Sequence, residues 1–274
     1  MPKKGPIGFF DSGYGGLTVL SEVRELLPEY DYLYLGDNAR APYGTRSFDV
    51  VYEYTWQCVK RLFEEGCELV ILACNTASAK ALRSIQQKEL LDYPGKRVLG
   101  VIRPSAESVG MFSKSNEIVV LATQGTVQSE SYVLEFQKYS PELKVHQYAC
   151  PMWVPLVESG EYKTEEGRSI IRRDIQNIKK SFPNADVYLL GCTHYPILQN
   201  IIKEFSGSDD LIISQGPIVA ESLKKYLSRH SWLVKRLSTK STVNYLTTEE
   251  HSVFESSVNE IFGLNLKART IKIN

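Results

Sequence analysis

Short apolar runs alternate along the chain with segments whose apolar residues recur every three or four positions, the helical spacing. The clearest run, Leu69-Val70-Ile71-Leu72-Ala73, is followed by Cys74 and by small polar residues that can begin a helix. A run that is apolar throughout is typical of a strand buried on both faces of a parallel sheet. The pattern therefore predicts a thiol at the carboxyl end of a buried strand, in front of helix N–H groups.

A second apolar run is also followed by a cysteine and by a segment that can form a helix. Val187-Tyr188-Leu189-Leu190-Gly191 leads to Cys192, Thr193 and His194, and a helix-compatible segment follows. Open α/β sheets bind their ligands at the carboxyl ends of the strands. We therefore expect two similarly placed thiols at a ligand site.

The remaining pattern predicts an α/β fold in which strands and helices alternate. Further strands are predicted at 7–10, 32–35, 97–102, 117–122, 145–151, 211–214 and 243–247. Helices are predicted after the glycine-rich turn at 11–16, from Phe48 to Gly66, from Cys74 to about Lys88, at 164–181, after Gly216-Pro217 and around Phe254, Val258 and Ile261. The basic stretch 228–240 reads as a solvated linker.

Two similar halves are indicated by a repeated arrangement. A strand that ends in a polar glycine-containing turn occurs at Asp11 and again at Thr123, and each is followed at nearly equal separation by a strand that ends in cysteine. We expect two pseudo-symmetric domains with mainly parallel sheets flanked by helices and the active site in the cleft between them. The first would comprise 1–97 and 215–274, because 243–247 can return to it as a strand, and the second 98–214.

Composition excludes several classes of partner. The chain has 274 residues, with Lys+Arg and Asp+Glu balanced at 32 each, so no net field favours nucleic acid or an anionic membrane. The apolar stretch at the start ends at Asp11, which is too short for a signal-peptide core, and no run reaches the length of a membrane span. Five cysteines without a C-x-x-C pair suggest neither a disulfide framework nor a redox motif. We expect a soluble cytoplasmic protein, in which Cys58 and Cys67 belong to the core.

Two thiols on opposite faces of a substrate can do what one base cannot. One group removes a proton from carbon and the other returns a proton from the opposite side, which inverts the stereocentre. This chemistry needs one thiolate and one thiol at any moment. A free cysteine has a pKa of about 8.5, which helix N-termini or charged neighbours can lower.

Other interpretations of the same residues stay open at this point. Each cysteine could be a packing residue, and Asp11, Ser12 or Thr76 could be a helix cap. Cys192 with His194 is half a metal site, and no further ligands stand at coordinating spacing, so no metal is expected. A cysteine hydrolase would also use a cysteine and a histidine. The turn at 11–16 lacks the G-x-G-x-x-G spacing of dinucleotide sites and suits a small carboxylate better.

Several motifs together resemble the glutamate racemases of the aspartate/glutamate racemase superfamily, and they span most of the chain in order. They are Asp11-Ser12-Gly13-x-Gly15-Gly16-Leu17-Thr18-Val19, Gly36-Asp37 with Pro42-Tyr43-Gly44, Ala73-Cys74-Asn75-Thr76-Ala77-Ser78-Ala79, Gly125-Thr126-Val127-x-Ser129, Cys150-Pro151 with Val154-Pro155-Leu156-Val157-Glu158, and Gly191-Cys192-Thr193-His194-Tyr195-Pro196.

The resemblance implies a cofactor-independent racemase that interconverts L-glutamate and D-glutamate for bacterial peptidoglycan, and hence for cell wall and cell shape. By motif match, Cys74 and Cys192 would exchange protons on the two faces, Asp11 and His194 would assist the thiols, and Glu158 is a further catalytic candidate. The resemblance also implies a homodimer. Residues that would hold the substrate are Asp11, Ser12, Tyr43, Gly44, Asn75, Thr76, Thr126, Thr193 and His194.

One motif departs from the family pattern, and two competing functions remain. Arg103-Pro104-Ser105 stands where the family commonly has an acidic residue before the proline and a glycine after it, which bears on control and assembly more than on the reaction. Aspartate or another acidic amino acid is the competing substrate. A protein that only binds acidic amino acids, or regulates another protein, is the competing class.

Overall fold

Parallel strands form two separate sheets in the computed structural model of the chain, which describes residues 4–273. Every strand pairs in parallel with its neighbours. Within the described residues, the strands in chain order are β1 (Ile7–Asp11), β2 (Tyr32–Gly36), β3 (Leu69–Leu72), β4 (Arg97–Gly100), β5 (Glu117–Ala122), β6 (Lys144–Ala149), β7 (Val187–Gly191), β8 (Leu211–Ile213), β9 (Val243–Thr247) and β10 (Ala268–Thr270).

The two sheets share a strand order. The larger sheet runs β10-β9-β2-β1-β3-β4 and the smaller runs β6-β5-β7-β8. Four contiguous strands of the larger sheet, β2-β1-β3-β4, therefore match the whole smaller sheet, with β1 equivalent to β5 and β3 to β7. The predicted fold class, α/β with mainly parallel sheets flanked by helices, is confirmed.

Helices cover both faces of each sheet, which explains why the strands are apolar throughout. In chain order the helices are α1 (Leu17–Leu26), α2 (Phe48–Glu64), α3 (Asn75–Lys80), α4 (Leu82–Gln87), α5 (Ile102–Ser108), α6 (Gln124–Gln128), α7 (Ser131–Tyr139), α8 (Trp153–Glu158), α9 (Glu165–Ser181), α10 (Gln199–Phe205), α11 (Gly216–Arg229), α12 (Ser231–Val234) and α13 (His251–Phe262). Among residues 4–273, none of the helices is both long enough and apolar enough to cross a bilayer.

Four clusters of buried apolar side chains hold these layers together. On the larger sheet, α1, α11, α12 and α13 pack on one face and α2, α3 and α4 on the other. On the smaller sheet, α8, α9 and α10 pack on one face and α5 and α7 on the other. Cys58 and Cys67, both fully buried, belong to the second of these clusters, as predicted.

The chain returns to the larger sheet after β8. Helix α11 packs against the cluster that contains α1, and β9 pairs with β2 in the register Tyr32↔Val243. Strand β4 pairs with β3, so the chain passes from the larger sheet to the smaller one after Gly100. The expected domain boundary lies directly after Arg97, the first residue of β4. The division into two domains, 1–97 together with 215–274 and 98–214, stays a prediction.

Three local predictions were wrong. The strand predicted to reach residue 102 ends at Gly100, and Arg103-Pro104-Ser105 lies in the first turn of α5, where the missing N–H of proline removes no helical hydrogen bond. The single helix predicted after Cys74 is two helices, α3 and α4, that meet at Ala81. The stretch 228–240 is not a solvated linker, because Leu233 and Leu237 are fully buried.

Candidate active site

The carboxyl ends of four strands meet at the facing edges of the two sheets. Strand β1 ends at Asp11 and β3 leads to Cys74, while β5 leads to Thr123 and β7 to Cys192. The Thr193 hydroxyl donates to Asp11 Oδ1 at 3.3 Å, and the Thr18 hydroxyl is 3.0 Å from the carbonyl oxygen of Thr193. The first contact joins a strand end of one sheet to a strand end of the other, and the second joins α1 to the residue after Cys192.

Residues 73–77, which we call the first cysteine turn, place the Cys74 thiol at the start of α3. The backbone N–H of Ala77 donates to Cys74 Sγ at 3.4 Å, so the thiol caps the helix. The Ser12 hydroxyl lies 3.5 Å from the same sulfur. Register brings Asp11 close, because β1 pairs with β3 and the N–H of Ala73 donates to the carbonyl oxygen of Phe10.

The Cys74 thiol is held in its protonated form. Burial raises its pKa to about 12, and the neighbouring Asp11 carboxylate adds to the rise, which the Ser12 hydroxyl and the Ala77 N–H only partly oppose. Burial also raises the pKa of Asp11, against the charge of His194 and the N–H of Gly13, which donates to Asp11 Oδ2 at 3.0 Å. A neutral thiol therefore stands at this strand end at neutral pH.

Residues 191–195, which we call the second cysteine turn, have a different set of neighbours. Cys192 Sγ lies 4.0 Å from Nδ1 of His194, and Nε2 of the same imidazole lies 3.0 Å from Glu158 Oε1 on α8. Burial opposes the charged imidazole, but its contacts with Cys192 and Glu158 outweigh burial and raise the His194 pKa to about 10. The second turn therefore holds an imidazolium beside its sulfur at neutral pH.

The close approach of the second cysteine turn to β1 requires a glycine. A Cβ atom at Gly15 would stand 2.4 Å from Thr193 Oγ1 and 2.7 Å from His194 Nδ1. No side chain fits in that space without moving one of these groups. The turn after β1 can thus lie directly against the second cysteine turn.

Three threonine hydroxyls form a triangle between the sheets. Thr76 Oγ1 lies 3.0 Å from Thr123 Oγ1 and 3.2 Å from Thr126 Oγ1, and the latter two are 3.1 Å apart. Thr123 was not among the predicted site residues. Its position directly after β5, where its side chain caps α6 as Cys74 caps α3, was the signal that could have identified it.

The loop that contains Tyr43 and Gly44 also reaches the second sheet. The N–H of Gly125 donates to the Gly44 carbonyl oxygen at 2.8 Å, and a Cβ at Gly44 would stand 2.9 Å from that of Thr123. The Tyr43 hydroxyl donates to the Asp37 carboxylate, so this side chain anchors the loop. The loop backbone therefore lies beside the threonine triangle.

Most predicted site residues are brought together, while Tyr43 and Asn75 bond through their side chains to residues that were not predicted as site residues. Tyr43 bonds to Asp37, and the Asn75 amide bonds to Gln215 and Tyr132. Within residues 4–273 no group of three or more His, Cys, Asp or Glu side chains is arranged to hold a metal ion. The other predicted side chains form three groups. The first surrounds Cys74 and contains Asp11 and Ser12, and the second surrounds Cys192 and contains Glu158, Thr193 and His194. The third is the pair of Thr76 and Thr126.

Comparison with known proteins identifies the family of the chain. Residues 18–219 match the family model of the Asp/Glu/Hydantoin racemases. The chain is 36% identical over 269 residues to a glutamate racemase from Listeria innocua, covering 98% of this chain and 97% of the relative. A glutamate racemase isoform from Bacillus anthracis has a similar structure, with a TM-score of 0.89, 32% identity and coverage of 99% of this chain and 98% of the other.

A second similar structure is a glutamate racemase from Francisella tularensis in complex with D-glutamate, with a TM-score of 0.86, 27% identity and coverage of 99% and 98% of the two chains. The chain belongs to the Asp/Glu/Hydantoin racemase family. The resemblance stated from its motifs is confirmed, and so is the expectation of an enzyme of the racemase type, an isomerase.

Proposed function

We propose that the protein interconverts L-glutamate and D-glutamate by removing the α-proton on one face of the substrate and returning a proton on the other. The observation that carries the proposal is the pair of cysteine turns, which lie at equivalent strand ends of two facing sheets. Their different neighbours support different proton states, a neutral thiol at Cys74 and a sulfur beside a cationic His194 at Cys192. The glutamate racemases among its relatives support the substrate.

The proton balance follows from this pair. In one direction the Cys192 thiolate, stabilised by the His194 imidazolium, takes the α-proton, and the Cys74 thiol gives its proton to the opposite face. The enzyme is left with a Cys192 thiol and a Cys74 thiolate, which is the state required for the reverse direction. Asp11 would assist Cys74, and Glu158 would hold His194 in place and charged.

Acid–base catalysis by the thiols contributes about 10²- to 10⁴-fold, which is too little for the weakly acidic α-carbon of an amino acid. The rest must come from donors that surround the carboxylate where negative charge develops, and from exclusion of water. Ser12, Thr76 and Thr126 offer hydroxyls at the facing strand ends, as does Thr193. The proposal assigns substrate binding to these residues together with Asn75, Tyr43 and Gly44, and requires no cofactor.

The family membership also supports a wider setting for the reaction. We include in the proposal that the D-glutamate formed supplies peptidoglycan synthesis, that the enzyme works in the cytoplasm and that it is a homodimer. Sedimentation of the purified protein at micromolar concentration tests the last point, because a single monomeric species would contradict it.

Exchange of the α-proton of glutamate in deuterated water, followed by mass spectrometry and circular dichroism, tests the reaction. We expect the wild-type protein to racemise glutamate with deuterium uptake, and Cys74→Ser and Cys192→Ser each to lose about 10²- to 10⁴-fold in rate. Cys67→Ser is the matched control, since Cys67 is also a buried thiol of the larger sheet but lies at the opposite end of β3.

Three other outcomes would replace the proposal. Turnover of aspartate far faster than glutamate would change the substrate. Glutamate binding by a folded wild-type protein without α-proton exchange would indicate a binding protein. A trapped acyl-enzyme on either thiol would indicate a cysteine hydrolase.

A further inference from the structure

Three buried side chains behind the first cysteine turn form a closed ring of hydrogen bonds. Asn75 Nδ2 donates to Gln215 Oε1 at 2.8 Å, Gln215 Nε2 donates to Tyr132 Oη at 2.7 Å, and Tyr132 Oη donates to Asn75 Oδ1 at 2.6 Å. All three residues are at most 3% exposed. A buried amide without partners would be costly, so this ring stabilises the position of each member.

The direction of every bond in the ring is fixed from outside it. The Ser105 hydroxyl donates to the carbonyl oxygen of Val101 at 3.0 Å, which leaves its oxygen to accept from Gln215 Nε2 at 2.8 Å. Gln215 Nε2 also lies 3.2 Å from the same carbonyl. Because a carbonyl oxygen can only accept a hydrogen bond, the amide atom of Gln215 that faces Val101 must be its nitrogen. The oxygen of Gln215 therefore faces Asn75, which must donate to it from its nitrogen.

The ring lies where the chain passes between the two sheets. Val101 lies at the first passage, between β4 and α5, and Ser105 lies in the first turn of α5. Gln215 is at the second passage, between β8 and α11. Tyr132 is on α7, which packs on the smaller sheet. Asn75 directly follows Cys74 in the first cysteine turn. The ring thus connects both passages to the residue next to one of the two thiols.

The order of these bonds determines what Asn75 can offer to a substrate. Its oxygen is used by Tyr132 and one of its two N–H hydrogens by Gln215, so the second N–H is what remains for a group outside the ring. The remaining N–H of Asn75 can donate a hydrogen bond to a carboxylate oxygen but not to an ammonium group, which is itself a donor. A reversed amide would present the wrong group to the substrate.

We propose that Gln215, Tyr132 and Ser105 are positioning residues that act through Asn75, holding its amide so that an N–H faces a carboxylate of the bound amino acid. This proposal rests on the proposed function, since it concerns the same substrate. It also makes substrate affinity depend on the two chain passages that link the sheets. None of the three positioning residues needs to contact substrate for this effect.

The test compares KM and kcat for glutamate in Gln215→Met and Tyr132→Phe with the wild type. Gln215→Met keeps the side-chain length but removes both polar atoms, so the Asn75 amide is no longer fixed. We expect KM to rise about tenfold, the effect of one lost hydrogen bond, with a smaller change in kcat. Tyr132→Phe should raise KM less, because the bond from Asn75 to Gln215 remains.

Tyr32→Phe is the matched control for Tyr132→Phe. Tyr32 is equally buried and donates its hydroxyl to the carbonyl oxygen of Leu27 at 2.6 Å, within the cluster around α1. We expect this variant to lose stability in urea to a similar extent as Tyr132→Phe but to keep the wild-type KM. An equal KM change in the two tyrosine variants would show a general loss of packing and overturn the proposal.

A double-mutant cycle with Asn75→Ala shows whether the positioning residues act through Asn75. If they do, Gln215→Met adds nothing to the KM of Asn75→Ala, whereas independent effects would multiply and contradict the proposal. If Gln215→Met does not fold, the same cycle with Tyr132→Phe decides. A wild-type protein that exchanges no α-proton of glutamate contradicts the proposed function, while a racemising wild type with an unchanged KM in both variants contradicts the ring alone.

Discussion

The two cysteine turns have the same backbone setting and opposite electrostatic surroundings. Both follow the carboxyl end of a strand, β3 or β7, at equivalent places in the strand order of the two sheets. Cys74 meets a hydroxyl, a helix N–H and the buried carboxylate of Asp11, whereas Cys192 meets the imidazole of His194. Equivalent strand ends therefore place the two sulfurs, while the charges of the groups beside them differ, a carboxylate near Cys74 and a cationic imidazole near Cys192.

Opposing effects act on the pKa of Cys74 in the first cysteine turn. A helix N-terminus ordinarily lowers the pKa of a cysteine. At Cys74 burial and the adjacent Asp11 carboxylate outweigh that effect, and the pKa rises to about 12. A thiol that holds its proton at rest is suited to donate it to a carbanion, and this is the role of Cys74 in the direction that begins with proton removal at Cys192.

Removing the imidazole should erase the difference between the turns and have the largest effect. We expect His194→Asn to lower the racemisation rate by about 10²-fold, because no cation would then stabilise a Cys192 thiolate. Initial rates from each enantiomer measure the loss. His146→Asn, a change in a histidine that pairs with Glu117 on the smaller sheet, serves as the control. Rates of His194→Asn within twofold of the wild type would contradict the assignment.

Displacing the second cysteine turn from the glycine-rich turn that follows β1 should have the next largest effect. Gly15→Ala places a methyl group against Thr193 Oγ1 and His194 Nδ1, so the second cysteine turn must shift. We expect a loss of about 1–3 kcal/mol in the free energy of unfolding and a rate lower by about tenfold. Gly263→Ala is the control, because Gly263 has a positive φ of 67° with open space around it. It should lose stability at unchanged rate. Equal rates in the two variants would show that the contact at Gly15 is unimportant.

A change in the pH dependence of racemisation should be the smallest of the three effects, and it tests the role of His194 in the second cysteine turn. His194 has a folded pKa of about 10, above the ordinary 6.5, so its stabilising contribution is complete below pH 6.5 and is lost as the pH rises through about 10. We expect racemisation to fall over the same upper range. In Glu158→Gln the fall should begin at lower pH, since Glu158 helps to raise that pKa. Rate and urea-unfolding profiles from pH 6 to 10.5 check this, and identical profiles would contradict it.

Much of the fold follows from local pattern. The buried strands and the amphipathic helices α2, α9 and α11 are visible because their apolar residues repeat with a fixed period. The stretch 228–240 was predicted to be a linker because most of its residues are polar or charged. Its two buried leucines join the cluster that contains residues of α11 and β1, and this happens only once the chain has returned to the larger sheet. The strand predicted to reach residue 102 ends earlier because Ile102 and Arg103 are helical, although the residue before a proline usually favours extended structure.

In the candidate site too, some residues can be predicted from the sequence and others cannot. Cys74, Cys192 and their immediate neighbours can be predicted because each follows an apolar run directly. Gln215 and Tyr132 could not be predicted as partners of Asn75, since three distant segments must meet before the ring exists. Hydrogen bonds between side chains far apart in sequence leave no periodic signal. The positions of such residues are known only when the sheets are assembled.

The pairing of β2 with β9 has a consequence for how the protein is made. The smaller sheet is built from one continuous stretch, β5 to β8, whereas β2 must wait for a neighbour that lies beyond most of the chain. On the ribosome, the smaller sheet can gather all its strands while one side of β2 is still an open edge. Such an edge is a place where another chain can pair by mistake. The order of synthesis thus leaves one side of β2 unpaired until β9 has been made.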